Sequence, residues 1–151
     1  MWKVEFIAEL LTWKGTPHRH LQCVKGEAAD CGMFILDALV QTGAAKRYIV
    51  NKHSRLWYYF TDKEVILDII NEVRKSYMLT GFNMVKVNEL ADISSGDILT
   101  FALVDNVAKS NHIAVVINDT EVIHSVKKFG VIVSPLKDYE KRISNIFRVN
   151  T

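Results

Sequence analysis

The sequence predicts an α+β protein in which N-terminal helices pack against an antiparallel β-sheet. Two observations support this fold class. Apolar residues recur at helical spacing in the first half of the chain, and after residue 81 they form short β-type runs. Helices and strands that are segregated in this way favour α+β over an alternating α/β fold. With 151 residues, 49% of them hydrophobic, the chain is expected to form a single domain over 1–151 with one core.

The first element is a short helix over residues 3–11. Its apolar side chains have helical spacing: Val4, Ile7, Ala8 and Leu11. Residues 12–27 then combine two glycines and a proline with aromatic and histidine side chains, which is typical of an ordered loop.

A second helix is predicted to begin at Asp30, because aspartate is a preferred N-cap residue, and to stop at Gly43. One face of it is apolar: Phe34, Ile35, Ala38 and Leu39. Cys31 lies at its start. A helix N-terminus stabilises a thiolate through its unsatisfied N–H groups and its dipole, so we expect the pKa of this thiol to be lowered.

The remaining elements are a third helix and five strands. The capping-box pattern Thr61-Asp62-Lys63-Glu64 begins the helix, which ends near Gly81. The five strands are predicted over 97–103, 113–117, 121–125, 131–134 and 144–149. Asp97 is interpreted as a residue of the turn that precedes its strand.

His112 and His124 flank one predicted hairpin and are 12 residues apart. If the hairpin loop contains an odd number of residues, both imidazoles lie on the same face of the sheet, within one or two rungs. One ring facing Cys31 then takes its proton, and the second ring orients the first. Taken singly, each residue also fits a structural role, since buried cysteines and half-buried strand histidines are common.

Composition and spacing exclude several other classes of function. The net charge of +2 gives no reason to expect a nucleic-acid partner. No apolar run approaches the roughly 18 residues that span a bilayer, and Glu5 and Glu9 interrupt the N-terminal segment, so neither an anchor nor a signal peptide is expected. Two cysteines suggest a reduced compartment without a structural disulfide, which predicts cytoplasmic synthesis.

A zinc site formed by Cys23, Cys31, His112 and His124 is disfavoured by the spacing of these residues. These cysteines are 8 residues apart and these histidines 12, whereas paired zinc ligands usually lie two to five residues apart. We therefore expect no metal and no other cofactor.

The order of several motifs resembles the NlpC/P60 family of papain-like cysteine peptidases, especially its phage-tail branch. The matching motifs are Gly15-Thr16-Pro17-His18-Arg19-His20, Asp30-Cys31, Ser95-Gly96-Asp97-Ile98-Leu99, His112-Ile113-Ala114 and Ile123-His124. The closing segment 134–148 also resembles phage-type members, so the likeness covers nearly the whole chain apart from residues 46–89.

The resemblance implies a papain-like NlpC/P60 fold and a hydrolase that cleaves an amide bond in peptidoglycan stem peptides. Cys31 would be the nucleophile that forms an acyl-enzyme, His112 the general base and His124 the residue that orients it. The backbone N–H of Cys31 would contribute to the oxyanion hole. Asp30 would face the substrate's amine or cap the helix, and His18 replaces the usual loop tyrosine. Phage-tail proteins become expected partners, and delivery to the cell wall or association with the virion becomes the expected location.

One departure leaves alternatives open. The family usually has Ser-Gly after the cysteine, whereas this chain has Gly32-Met33. The missing hydroxyl puts substrate specificity in doubt and is compatible with a catalytically altered tail-assembly or interaction module. An acyltransferase that uses the same thiol is a further alternative.

Overall fold

The structure, a computed structural model, describes residues 2–19, 22–45, 83–103 and 112–150. In these ranges the chain forms two α-helices, eight strands and three single-turn 3₁₀-helices. Helix α1 spans Trp2–Leu11 and helix α2 spans Met33–Gln41. A small antiparallel hairpin, β1 (Cys23–Val24) and β2 (Ala28–Ala29), precedes α2. The predicted third helix, residues 61–81, lies outside the described residues.

The other six strands form one antiparallel sheet in the order β3-β8-β4-β5-β6-β7. The strands are β3 (Asn83–Val87), β4 (Ile98–Phe101), β5 (His112–Val116), β6 (Glu121–Val126), β7 (Gly130–Pro135) and β8 (Ile143–Asn150). Five were predicted with bounds within two residues. Strand β3 was missed because it is an edge strand on which only Met84 is buried, which leaves little apolar alternation.

Helix α1 was predicted correctly, but its buried face was not. Phe6 and Leu10 are fully buried, while Val4 of the predicted face is 66% exposed. Trp2 stacks on Phe6 with 5.0 Å between ring centroids. The helix directs its aromatic side chains towards the core, because their burial removes more apolar surface from water than burial of valine would.

Helix α2 begins later than the sequence predicted. Its N-cap is Gly32, and Asp30 instead accepts a hydrogen bond from the Gly32 N–H at 2.9 Å. Cys31 therefore lies in the turn just before the helix. The predicted stop is confirmed: Gly43 has φ +80°, a conformation that glycine adopts without strain.

The sheet has buried side chains on both faces, so the expected single core is divided into two clusters. Along β5, Ile113 and Val115 belong to the cluster that contains the helices, whereas Ala114 and Val116 belong to the second. This alternation follows from the period-2 geometry of a strand. Leu136 and Tyr139, from the segment after β7, pack in the second cluster.

The buried carboxylate of Asp97 forms an ion pair with a partly exposed arginine, which the sequence interpretation missed. Its carboxylate accepts hydrogen bonds from Arg148 Nε at 2.9 Å and Nη2 at 2.8 Å, and from the Ser94 N–H at 2.8 Å. The Asp97 side chain is 1% exposed and that of Arg148 is 30% exposed. This two-point contact joins the start of β4 to β8.

We expect Arg148→Met to destabilise the fold more than Asp97→Asn does. The first change strands a buried carboxylate, for which a loss of about 3 to 5 kcal/mol is typical, whereas the second leaves a guanidinium that still reaches water. The free energy of unfolding in urea, followed by tryptophan fluorescence, measures both changes. An equal or smaller loss for Arg148→Met would contradict this account.

Candidate active site

A cleft of about 270 Å³ brings together three of the residues singled out from the sequence: His18, Cys31 and His112. The other lining residues are Leu103, Ser125, Val126 and Lys127. His112 is the first residue of β5 and Ser125 is near the end of β6, so the cleft opens where these two strands leave the sheet. Cys31 reaches it from the turn before α2.

Cys31 is 1% exposed, and its thiol lies beside the Asp30 carboxylate. Burial raises the pKa of this thiol well above its usual range, and the charge and hydrogen bond of Asp30 act in the same direction. The backbone N–H groups of Cys31 and Gly32 oppose this shift without overcoming it. The prediction of a lowered pKa for Cys31 is therefore wrong for the protein without substrate. Burial and the Asp30 carboxylate raise the thiol pKa by more than the N–H groups at the helix start lower it.

Asp30 is itself buried and joins the thiol to the start of α2, since it also binds the Gly32 N–H. It is not the N-cap, contrary to the capping interpretation. The Asp30 carboxylate instead lies beside the thiol. In this position its negative charge would attract a positively charged group of a ligand.

His112 and His124 are joined by a hydrogen bond of 2.8 Å between Nε2 of His112 and Nδ1 of His124. The Ile117 N–H donates to the Glu121 carbonyl and closes a loop of three residues, 118–120, which is an odd number. The condition for a shared face is thus met. With Val115 paired to Ile123, the two histidines are offset diagonally by two residues.

The chain of polar contacts continues to Ser134 on β7, whose Oγ lies 2.8 Å from Nε2 of His124. Sequence analysis did not identify Ser134. The register between β6 and β7 is the feature that would identify it. His124 pairs with Ile132, so Ser134, two residues further along β7, has its side chain on the same face of the sheet as His124. That register is known only once the β6–β7 hairpin is seen.

Aromatic rings surround the histidine pair. Tyr139 packs edge-on against His124 with 5.0 Å between centroids, and Phe101 packs against His112 at 5.9 Å. Burial lowers the pKa of His112 to about 3, helped by the charges of His124 and His18 and opposed by Asp30. Burial also lowers the pKa of His124 to about 4. Both imidazoles are therefore neutral near pH 7.

His18 is held by Ser125 through a contact of 2.9 Å between Nδ1 and Oγ. The Ser125 hydroxyl donates its one proton to the Ala29 carbonyl at 2.9 Å, so it must accept from His18 Nδ1–H. A neutral His18 ring consequently has an acceptor at Nε2. It can donate from Nε2, as a tyrosine hydroxyl would, only when the ring is protonated.

Cys23 differs from Cys31 in its position relative to the cleft. Its sulfur contacts the Met33 carbonyl at 3.4 Å, and it does not line the cleft. Burial, together with Asp37 and Asp30, raises its pKa to about 12. Among the residues that the structure describes, no group of three or more histidine, cysteine, aspartate or glutamate side chains could hold a metal ion.

We expect the neutral histidine pair to make stability depend on pH. Because the folded pKa values of about 3 and 4 lie below the ordinary 6.5, the unfolded chain binds protons first as the pH falls. The contribution is fully present above about pH 6.5 and is lost towards pH 4, by up to about 1.4 kcal/mol per pH unit for each histidine.

Urea unfolding at pH 7.5 and pH 5, for the wild type and His124→Gln, measures this dependence. The variant should lose less stability between the two values, since one titrating group is gone while the carboxylates are unchanged. Equal losses would contradict the assignment.

Comparison with known proteins shows similarity in structure. No protein-family model matches the chain, and comparison with curated proteins yields no match. Among solved structures, a lipoprotein-like NLP/P60 protein from Staphylococcus aureus superposes with a TM-score of 0.62 at 12% identity, covering 99% of this chain and 42% of that one. NlpC1 from Trichomonas vaginalis gives 0.65 at 16%, covering 97% and 43%.

The NlpC/p60 domain of the peptidoglycan hydrolase SagA gives a TM-score of 0.58 at 14% identity and covers 95% of this chain and 96% of that domain. The chain thus spans less than half the length of the first two structures and nearly all of the third. The predicted fold class is confirmed: this is the α+β, papain-like fold of NlpC/P60 domains.

Proposed function

We propose that the chain is a cysteine hydrolase that cleaves an amide bond in peptidoglycan stem peptides through an acyl-enzyme on Cys31. The observation that carries this proposal is the shared cleft, which is lined by Cys31 and by His112, whose Nε2 is bound to a second imidazole. The similarity in fold to a peptidoglycan hydrolase domain supports the class of substrate.

In the proposed reaction His112 is the general base. Its Nε2 is bound to His124, which leaves Nδ1 as the nitrogen that takes the thiol proton. As this proton moves, the sulfur forms a bond to the substrate carbonyl carbon while the carbonyl electrons move to the oxygen. As the oxyanion re-forms the carbonyl and the C–N bond breaks, the protonated His112 gives its proton to the departing amine. A water that His112 deprotonates then attacks the thioester, the C–S bond breaks, and His112 returns the proton to the Cys31 sulfur.

The raised pKa of Cys31 makes the resting pair a neutral thiol and a neutral imidazole. Proton transfer therefore accompanies the attack on the carbonyl instead of preceding it. Asp30 is proposed to bind the substrate's amine. An ammonium group there would offset the carboxylate charge that raises the thiol pKa, so substrate binding would favour the thiolate.

Oxyanion stabilisation is assigned to the backbone N–H of Cys31, with His18 as the second donor. His18 fills this role only as an imidazolium, because its Nδ1–H is bound to Ser125. This requirement distinguishes it from the tyrosine that the family usually has at this position.

The test is digestion of purified peptidoglycan by the wild type and by Cys31→Ala, with the products identified by mass. The proposal predicts paired new amino and carboxyl termini within the stem peptide for the wild type alone. If the wild type yields no such product, or if both proteins yield it, the assignment fails. Products that carry an added amine in place of the new carboxylate would indicate an acyltransferase on the same thiol.

The competing function is an interaction module that has lost activity. The deep burial of the Cys31 sulfur and the Gly32-Met33 sequence favour it. Trapping discriminates between the two: acid-quenched wild-type protein mixed with substrate should carry an acyl adduct on the Cys31 peptide, whereas a module would carry none.

The proposal extends to delivery. The resemblance of residues 134–148 to phage-type members supports a chain made in the cytoplasm and carried to the cell wall with phage-tail proteins. None of the helices in the described ranges is long and apolar enough to cross a membrane. Mass spectrometry of purified tail particles tests this association, and absence of the chain from the particles would contradict it.

A further inference from the structure

We propose that Ser134 is a positioning residue for the histidine pair: its hydroxyl selects the tautomer of His124 and, through it, makes Nδ1 of His112 basic. The inference rests on the proposed function, in which His112 takes the Cys31 proton. It assigns a role to a residue on a strand that does not line the cleft.

The geometry is a diagonal across three neighbouring strands. His124 on β6 pairs with Ile132, and Ser134 lies two residues further along β7. On the other side His112 is likewise offset by two residues in the β5–β6 register. Diagonal neighbours are about 7 to 8 Å apart at Cα, a gap that one imidazole spans with its two nitrogens. The two contacts of 2.8 Å on opposite sides of His124 show this bridging.

Each hydrogen bond in this chain has one proton, and the protons allow two arrangements. In the first, His112 Nε2–H donates to His124 Nδ1, and His124 Nε2–H donates to Ser134 Oγ. His112 Nδ1 then has a lone pair and can act as a base. In the second, Ser134 donates to His124, His124 donates to His112, and the His112 proton lies on Nδ1, where the ring cannot take another proton from the thiol.

Catalysis requires the first arrangement at every stage. When His112 has taken the thiol proton, it carries N–H groups on both nitrogens, so His124 must accept at Nδ1 and donate from Nε2. Ser134 is the acceptor of that last proton. Because His124 is 1% exposed and the Tyr139 ring packs against it, an Nε2–H without this acceptor would be buried and unsatisfied.

Removing the hydroxyl should therefore shift His124 towards the second arrangement. We expect Ser134→Ala to lower kcat about 10- to 100-fold, the effect of one missing buried hydrogen bond, while KM changes less than about 2-fold. KM is spared because Ser134 does not contact the cleft.

Two further variants separate positioning from packing. Threonine and valine have nearly the same shape and both suit a strand, but only threonine has a hydroxyl. Ser134→Thr should retain kcat within about 3-fold of the wild type, whereas Ser134→Val should behave like Ser134→Ala. This pair remains informative if the alanine variant does not fold. Equal kcat in the threonine and valine variants would overturn the proposal.

A spectroscopic measurement tests the same inference without turnover. In the ¹⁵N-labelled wild type at pH 7, the imidazole shifts of His124 should report a proton on Nε2, and in Ser134→Val they should report a proton on Nδ1. The same tautomer in both proteins would overturn the proposal. If the wild type has no hydrolase activity but the tautomer changes as expected, the proposed function fails while the positioning role of Ser134 stands.

Discussion

Cys31→Ala should abolish amide hydrolysis, with a loss of turnover of about 10⁴-fold or more, whereas Cys23→Ala should retain most of the wild-type rate. Loss of a covalent nucleophile removes the whole acylation route, and what remains is binding and oxyanion stabilisation. The two cysteines make a matched pair, because only Cys31 lines the cleft with His112. Cys23 instead contacts the Met33 carbonyl.

The measurement is the rate of amine release from a purified stem peptide, with thermal unfolding of each variant as the control for folding. Removing one buried sulfur leaves a small cavity, so a modest loss of stability is expected for Cys31→Ala. A variant that is folded and still turns over at the wild-type rate would exclude Cys31 as the nucleophile. Loss of activity in Cys23→Ala alone would exclude it equally.

His112→Ala should have the second largest effect, a loss in kcat of about 10³- to 10⁴-fold. General base catalysis by a positioned side chain is worth about 10²- to 10⁴-fold, and here the same ring also protonates the leaving amine. His124→Asn should lose much less, about 10-fold, because an amide oxygen can still accept the His112 Nε2–H. The order of the two losses is the informative result.

The same amine-release assay measures both histidine variants, and the pH dependence of kcat serves as a second readout. His112→Gln, which preserves more of the buried volume, controls for collapse of the site. If His124→Asn were as inactive as His112→Ala, the roles of the two rings would have to be exchanged. If His112→Ala retained turnover within a few-fold, His112 would not be the base.

Much of the fold could be predicted from local pattern. Five strands, the first helix and the end of α2 follow from apolar spacing and turn residues, since these depend on side chains close together in the sequence. The shared face of His112 and His124 was predicted only on condition of an odd hairpin loop, and the structure supplied that loop, residues 118–120. Strand β3 was not predicted, because almost none of its side chains are buried. The register that brings Ser134 to His124 could not be predicted either, because it depends on how β6 and β7 pair and not on the sequence of one strand.

The electrostatics of the site could not be predicted in the same way. The sequence suggested a lowered thiol pKa at a helix start, but Cys31 is buried beside Asp30 and its pKa is raised. Asp97 suggested a turn, but Arg148 from the far end of the chain makes it half of a buried ion pair. For Cys31 the missing information was which distant residues exclude water from the thiol, and for Asp97 it was which distant residue supplies the opposite charge.

The sequence by itself determined the α+β class and the order of the chemical groups, and it set the condition, an odd hairpin loop, under which the two histidines share a face. Only the tertiary structure decided that Cys31, His112 and His18 share a cleft, that Ser134 completes the hydrogen-bond chain, and that the Cys31 thiol and the His112 and His124 imidazoles are uncharged near pH 7. The physical reason is that element type depends on neighbours within a few residues, whereas solvation, strand register and proton position depend on packing between residues up to about a hundred positions apart, such as Ala29 and Ser125.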